Sequence, residues 1–161
     1  VCAPTRSSPL EPTGSSSATR NCWTDSPVDP VHFATRFFWL AEQVTGIDAE
    51  VLANSGSINL ADSALHAPRA SSGDQDFYPD LLDKAAVLTC HLAWNHPLPD
   101  RNKRASWACL VMFHDLNGVV WDPDPPDVDE AEEAILSVAA HEVDEAWFAS
   151  WLRLRTRAND E

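Results

Sequence analysis

Nine consecutive residues, His96-Pro97-Leu98-Pro99-Asp100-Arg101-Asn102-Lys103-Arg104, place an imidazole, a carboxylate, an amide and three cations in one short segment. The chain is otherwise acidic, with 11 Lys and Arg against 25 Asp and Glu and a formal net charge of −14. Three of its cations therefore crowd where a helix should begin, near Asn102. A helix N-terminus already carries about half a positive charge, so cations there cost energy until an anion joins them. The free N–H groups of a first turn add to that demand, and a polyphosphate meets it best. Asn102 suits an N-cap or a donor facing phosphate. Asp100 stands one residue before the cations, where a carboxylate can hold Mg²⁺ against phosphate oxygens. His96 enters from the preceding helix. Imidazole titrates closest to neutrality and can take a proton from an attacking hydroxyl. Pro97 and Pro99 stiffen the stretch between them. A histidine capping a helix beside a solvated basic surface, paired with nearby Asp, is the competing reading. Residue types alone do not name the reaction.

The elements that must position this loop read as helices. Phe33, Phe37, Leu40, Ala41 and Val44 keep helical spacing, and Gly46 sits where a C′ glycine ends a helix. A short helix is expected over Leu60 to His66, stopped by Pro68, and residues 67–79 form a polar loop. Pro79 suits the first position of the next helix, whose stripe is Leu81, Ala85, Leu88 and Leu92. Pro97 should end it at His96. The following helix runs to Asn117, with Gly118 as its cap. Its middle, Trp107 to Phe113, is apolar on every face, which predicts a central, buried helix. Two amphipathic helices follow, marked by Val128, Ala131, Ile135 and Val138 and by Trp147, Phe148, Trp151 and Leu152. No strand pattern of useful length appears, so the expected fold is an all-α helical bundle around a buried central helix.

Composition narrows the rest. Residues 1–30 are rich in Ser, Thr and Pro without hydrophobic periodicity, and are expected to be a disordered tail before a domain at 31–161. The strong negative charge argues against direct nucleic-acid binding and against adsorption to membranes. No secretory leader or membrane span is expected, which points to the cytoplasm. Cys90 and Cys109 fall in apolar helical stretches and read as small hydrophobes, while Cys2 and Cys22 belong to the tail. Trp94, Trp107, Trp147 and Trp151 read as core. His32, His91, His114 and His141 have no H-x-x-x-H companion and are poor metal candidates. The acidic run Asp127 to Glu133 reads as a solvated helix start, with contact to a basic partner segment as its second reading.

The order of residues from His96 to Arg104 resembles the H-x-F-x-D-G/A-N-K-R signature of the Fic/Doc family, in its Doc (death-on-curing) form. Ser63 to Arg69, Gly73 and Asp76-Phe77-Tyr78-Pro79 resemble the segment that precedes the motif helix, and Leu116-Asn117-Gly118 the end of the next one. The likeness implies an all-helical fold. It makes His96 the base, Asp100 the Mg²⁺ site, and Asn102, Lys103 and Arg104 the holders of the ATP phosphates. The loop before Pro79 would be the flap that aligns a target chain. Fic AMP-transferases usually have Gly in place of Lys103 and a second Arg in place of Trp107. Lacking both, the chain is similar to the Doc branch, whose members act as kinases with the γ-phosphate of ATP near the His. The resemblance implies a toxin that phosphorylates a threonine of translation elongation factor Tu and is blocked by a Phd-type antitoxin. An AMP-transferase, or an impaired fold that serves as an antitoxin-binding protein, are the alternatives. Two residues depart from the pattern. Leu98 replaces Phe as an apolar anchor. Arg101 replaces Gly or Ala, and since Ala is accepted there, a positive φ is not expected.

Overall fold

The structure, a computed structural model, describes residues 30–55 and 57–158; of the expected tail, 1–29 lie outside the described residues. Among the described residues there are seven α-helices: α1 (Pro30–Thr45), α2 (Ala49–Ala53), α3 (Ile58–His66), α4 (Leu81–Asn95), α5 (Asn102–Leu116), α6 (Val128–Ala139) and α7 (Glu145–Arg153). Their limits follow from caps. Gly46 at φ +76° ends α1, and Asp48, Asp127 and Asp144 each accept a backbone N–H of the first turn of α2, α6 and α7. Asp80, not Pro79, starts α4, because its carboxylate accepts from Leu82 N–H at 2.9 Å and Asp83 N–H at 3.3 Å.

The all-α expectation holds, with four strands of two or three residues added. β1 (Ser71–Ser72) pairs antiparallel with β2 (Gln75–Asp76), turning at Gly73 with φ +61°. β3 (Val119–Trp121) pairs antiparallel with β4 (Thr156–Ala158), bringing the end of the described chain back against the exit of α5. Strands this short leave no periodicity to read.

A central helix exists, but it is α4 rather than α5. Lys84 to Cys90, Leu92 and Ala93 are all buried, and α3, α5, α6 and α7 pack around them. Small residues make this possible: Ala85, Ala86, Ala93 and Cys90 let neighbouring backbones approach on several sides. In α5 the buried set is a stripe of Ala105, Ser106, Cys109, Leu110, Phe113 and His114, while Trp107, Ala108, Val111 and Met112 stay half-buried. Phe37 and Ala41 of α1, with Phe148 and Leu152 of α7, complete the core. Burial pushes the Cys90 and Cys109 thiols up to about 12, so both are neutral. Among the described residues no helix is long and apolar enough to cross a membrane.

Candidate functional site

The two halves of the motif are set by opposite ends of two packed helices. α4 ends at Asn95, and His96 follows in the left-handed region at φ +47°. Its imidazole is exposed and makes no hydrogen bond among the described residues. Pro97 and Leu98 then dive into the protein, with Leu98 only 4% exposed, so the expected apolar anchor is in place. Asn102 closes the loop from the far side. Its Oδ1 accepts from Leu98 N–H at 2.8 Å, and its Nδ2 donates to Leu98 O at 2.8 Å.

That clamp corrects the expectation of Asn102 as the cap. Arg101 holds the cap position, while the Asn102 amide is spent on the loop. Any contribution of Asn102 to anion binding therefore runs through loop shape and its own backbone N–H. Asn102→Ala should leave two half-buried backbone groups of Leu98 without partners and lower stability by about 2 kcal/mol in urea unfolding. An unchanged midpoint would show that the clamp is not structural.

Arg101 gives the second correction. It stands at φ +61°, a conformation glycine adopts freely and an L side chain enters at a cost of about 1–2 kcal/mol. The site thus does require a positive φ, and the Arg pays for it in part through two bonds. Its N–H donates to Asp100 Oδ1 at 2.6 Å, and its Nη1 donates to Val44 O at 2.7 Å. α1 has no basic residue in its own last turn, so Arg101 supplies the cation that its C-terminal carbonyls favour. The guanidinium is thereby turned toward α1.

Lys103 and Arg104 are left exposed on the first turn of α5, and neither forms an ion pair among the described residues. The first backbone bond of α5 is Ala105 N–H to Arg101 O at 3.0 Å, so the amides of residues 102–104 precede the helical ladder. His96 and Asp100 are thus exposed on the loop, and Lys103 and Arg104 are exposed at the start of α5 that follows it. Instead of the Asp pairing that a solvated basic surface would show, the two cations stand open.

The β1–β2 hairpin, where the flap was expected, is anchored elsewhere. Phe77 N–H donates to Ala70 O at 2.9 Å across the β1–β2 hairpin, and Lys84 Nζ reaches Asp76 Oδ2 at 3.1 Å. Lys84 is 2% exposed, a buried ammonium that the sequence reading passed over. The signal available was a lone Lys ahead of Ala85-Ala86-Val87 on an apolar helix. Glu145 meets His91 Nε2 at 2.7 Å and is close enough to Tyr78 to act on its phenol. Burial first, and then Glu145, raise the Tyr78 phenol above its ordinary range. Lys84 lies twelve residues before His96 on α4, about 18 Å of helix rise. The hairpin anchor and His96 are thus not in contact.

Trp107, in place of a second Arg, stacks on Trp121 with ring centroids 5.9 Å apart and meets Trp151 edge-on at 6.3 Å. Among the described residues no group of three or more His, Cys, Asp or Glu is placed to hold a metal by itself.

A sequence profile described as the Fic/DOC family matches residues 33–114, about half of the chain, and spans α1 through His114 of α5. The chain belongs to the Fic/DOC family. Within it the similarity extends to a protein named Toxin Doc from Mycolicibacterium smegmatis (strain ATCC 700084 / mc(2)155), 39% identical over 109 residues, which covers 61% of this chain and 83% of that one. No solved structure matches. The Fic/DOC likeness is therefore carried by sequence, and it covers the helices that build the loop.

Proposed function

We propose that this chain is a Doc-like toxin, a protein kinase that moves the γ-phosphate of ATP onto a threonine hydroxyl of a translation factor in the cytoplasm. Elongation factor Tu is the first target to test, and a Phd-type antitoxin is the expected partner. The observation that carries the reading is the pair of exposed cations, Lys103 and Arg104, on the first turn of α5, neither of them paired among the described residues. Their charge, the free amides beside them and the helix dipole all favour a polyphosphate.

Each residue then has a task. Lys103 and Arg104 hold phosphate oxygens, and Asn102 fixes the loop that presents them. The donor set fits Mg²⁺: Asp100 is a hard oxygen ligand, held by the Arg101 N–H at one oxygen and open at the other, and Mg²⁺ commonly takes one carboxylate plus substrate phosphates. When bound, the ion would neutralise charge on the phosphates. In the transfer, threonine oxygen attacks the γ-phosphorus, the bond from that phosphorus to the bridging oxygen breaks, and ADP leaves. His96, free of other hydrogen bonds among the described residues, takes the hydroxyl proton at a ring nitrogen. Trp107 favours the kinase over the AMP-transferase reading, because its ring is committed to Trp121 and offers no cation to a second phosphate pose.

The test uses ATP labelled at the α- or γ-phosphate, Mg²⁺ and elongation factor Tu. Label arriving only from the γ-position supports the kinase. Label from the α-position would make it an AMP-transferase. With Arg101 turned to Val44 O, Arg101→Gly is expected to keep activity within about threefold; a large gain would show that the guanidinium obstructs the phosphates.

A further inference from the structure

We propose that the corner between α6 and α7 docks a basic segment of a partner protein, holding one Lys or Arg side chain of that segment against Trp147. The inference is independent of the transfer reaction, since no residue used here belongs to the 96–104 loop.

The corner is built rigidly. α6 ends with His141 N–H donating to Val138 O and Glu142 N–H donating to Ser137 O, both at 3.0 Å, and His141 stands at φ +57°. That turn lays the His141 ring flat on Trp94, with centroids 4.9 Å apart and planes 17° apart. Trp94 is fixed in turn by its Nε1–H, which donates to Val138 O at 2.6 Å. Trp147, expected in the core, is instead 42% exposed. With Trp94, His141, Glu142 and Asp144 it lines an open depression of about 450 Å³ that contains no Lys or Arg. Asp144 spends one oxygen on Trp147 N–H, and Glu142 has no ion pair among the described residues. Aromatic faces beside two available carboxylates are the chemistry that recognises a cation.

The occupant is a polypeptide rather than a free amine because the feature continues. Glu142 also borders a second depression along α6, lined by Asp129, Glu132, Glu133 and Leu136, the last 42% exposed. α6 is twelve residues long, about 18 Å. An acidic strip of that length with an exposed leucine complements several basic residues and an apolar one. Overall charge of −14 steers such a segment toward the chain.

The probe is a capped eight-residue peptide alternating arginine and leucine, titrated against the full chain at low and physiological salt. Trp147→Ser should weaken binding roughly fivefold, and Trp147→Tyr should restore most of it. The triple variant Glu132→Gln, Glu133→Gln, Glu142→Gln should weaken it roughly tenfold. A control that removes three charges elsewhere, Glu50→Gln, Asp62→Asn and Asp115→Asn, should change it less than twofold. The peptide with citrulline for arginine should not bind. Equal losses in the two triple variants would mean only diffuse attraction to an acidic protein and would overturn the proposal. So would unaltered binding in Trp147→Ser, equal binding of the citrulline peptide, or no binding at all.

Discussion

His96→Ala is expected to cut phosphate transfer by about 10²- to 10⁴-fold, the range set by losing a positioned general base, while leaving ATP binding intact. The two effects separate because the groups sit on different elements. His96 follows α4, whereas Lys103 and Arg104 stand on the first turn of α5. His96 holds no other group in place, since its ring is exposed and free of hydrogen bonds among the described residues. Its backbone is the one complication. At φ +47° an alanine meets the left-handed penalty, whereas asparagine enters that region more readily. His96→Asn is therefore the cleaner variant: the same loss of transfer with little change in unfolding. Retention of transfer within a few-fold in both variants would remove His96 from the chemistry. A matching relief of growth arrest on expression would join the catalytic loss to toxicity.

Much of this site was legible because loops announce themselves by chemistry. Pro97 and the cation cluster act over four or five residues, and α4 and α5 meet where that pattern puts them, whereas the aspartate caps of α2, α4, α6 and α7 went unread and α2 with them. Burial was harder to read. An apolar run such as Trp107 to Phe113 suggests the centre of a bundle, yet the centre went to α4, because alanines and Cys90 pack on more sides than tryptophans do. Trp147 fails for a related reason: it shares a helix with Phe148, Trp151 and Leu152 but points one step around from them, onto the surface. Long-range ties left no local trace at all. Arg101 to Val44 O spans 57 positions, and His91 to Glu145 spans 54. The positive φ of Arg101 was hidden by the residue itself, since glycine is the usual sign of such a site.

His114 leads to the second large effect, an acid-dependent loss of stability of about 3 kcal/mol that His114→Leu should remove. The ring is 2% exposed, and neither nitrogen has a hydrogen-bond partner among the described residues. It meets Trp121 edge-on at 5.0 Å. Burial lowers its pKa from 6.5 to about 4, because the charged imidazolium would lose its hydration without gaining a partner. The fold therefore prefers the neutral ring. Above pH 6.5 the ring is neutral both folded and unfolded, and no penalty arises. Between 6.5 and about 4 the unfolded chain binds the proton and the folded chain does not, so stability falls as pH falls. Below about 4 both states are protonated and this contribution stops changing. The full drop follows from a shift of that size at about 1.4 kcal/mol per pH unit. Carboxylates titrate in the same acid range, so the measurement is the difference between two urea-unfolding series, wild type and His114→Leu, from pH 7.5 to 4. The wild-type free energy should fall away from that of the variant from pH 6.5 downward. Parallel curves across the range would mean that the buried ring is protonated as easily in the fold as outside it.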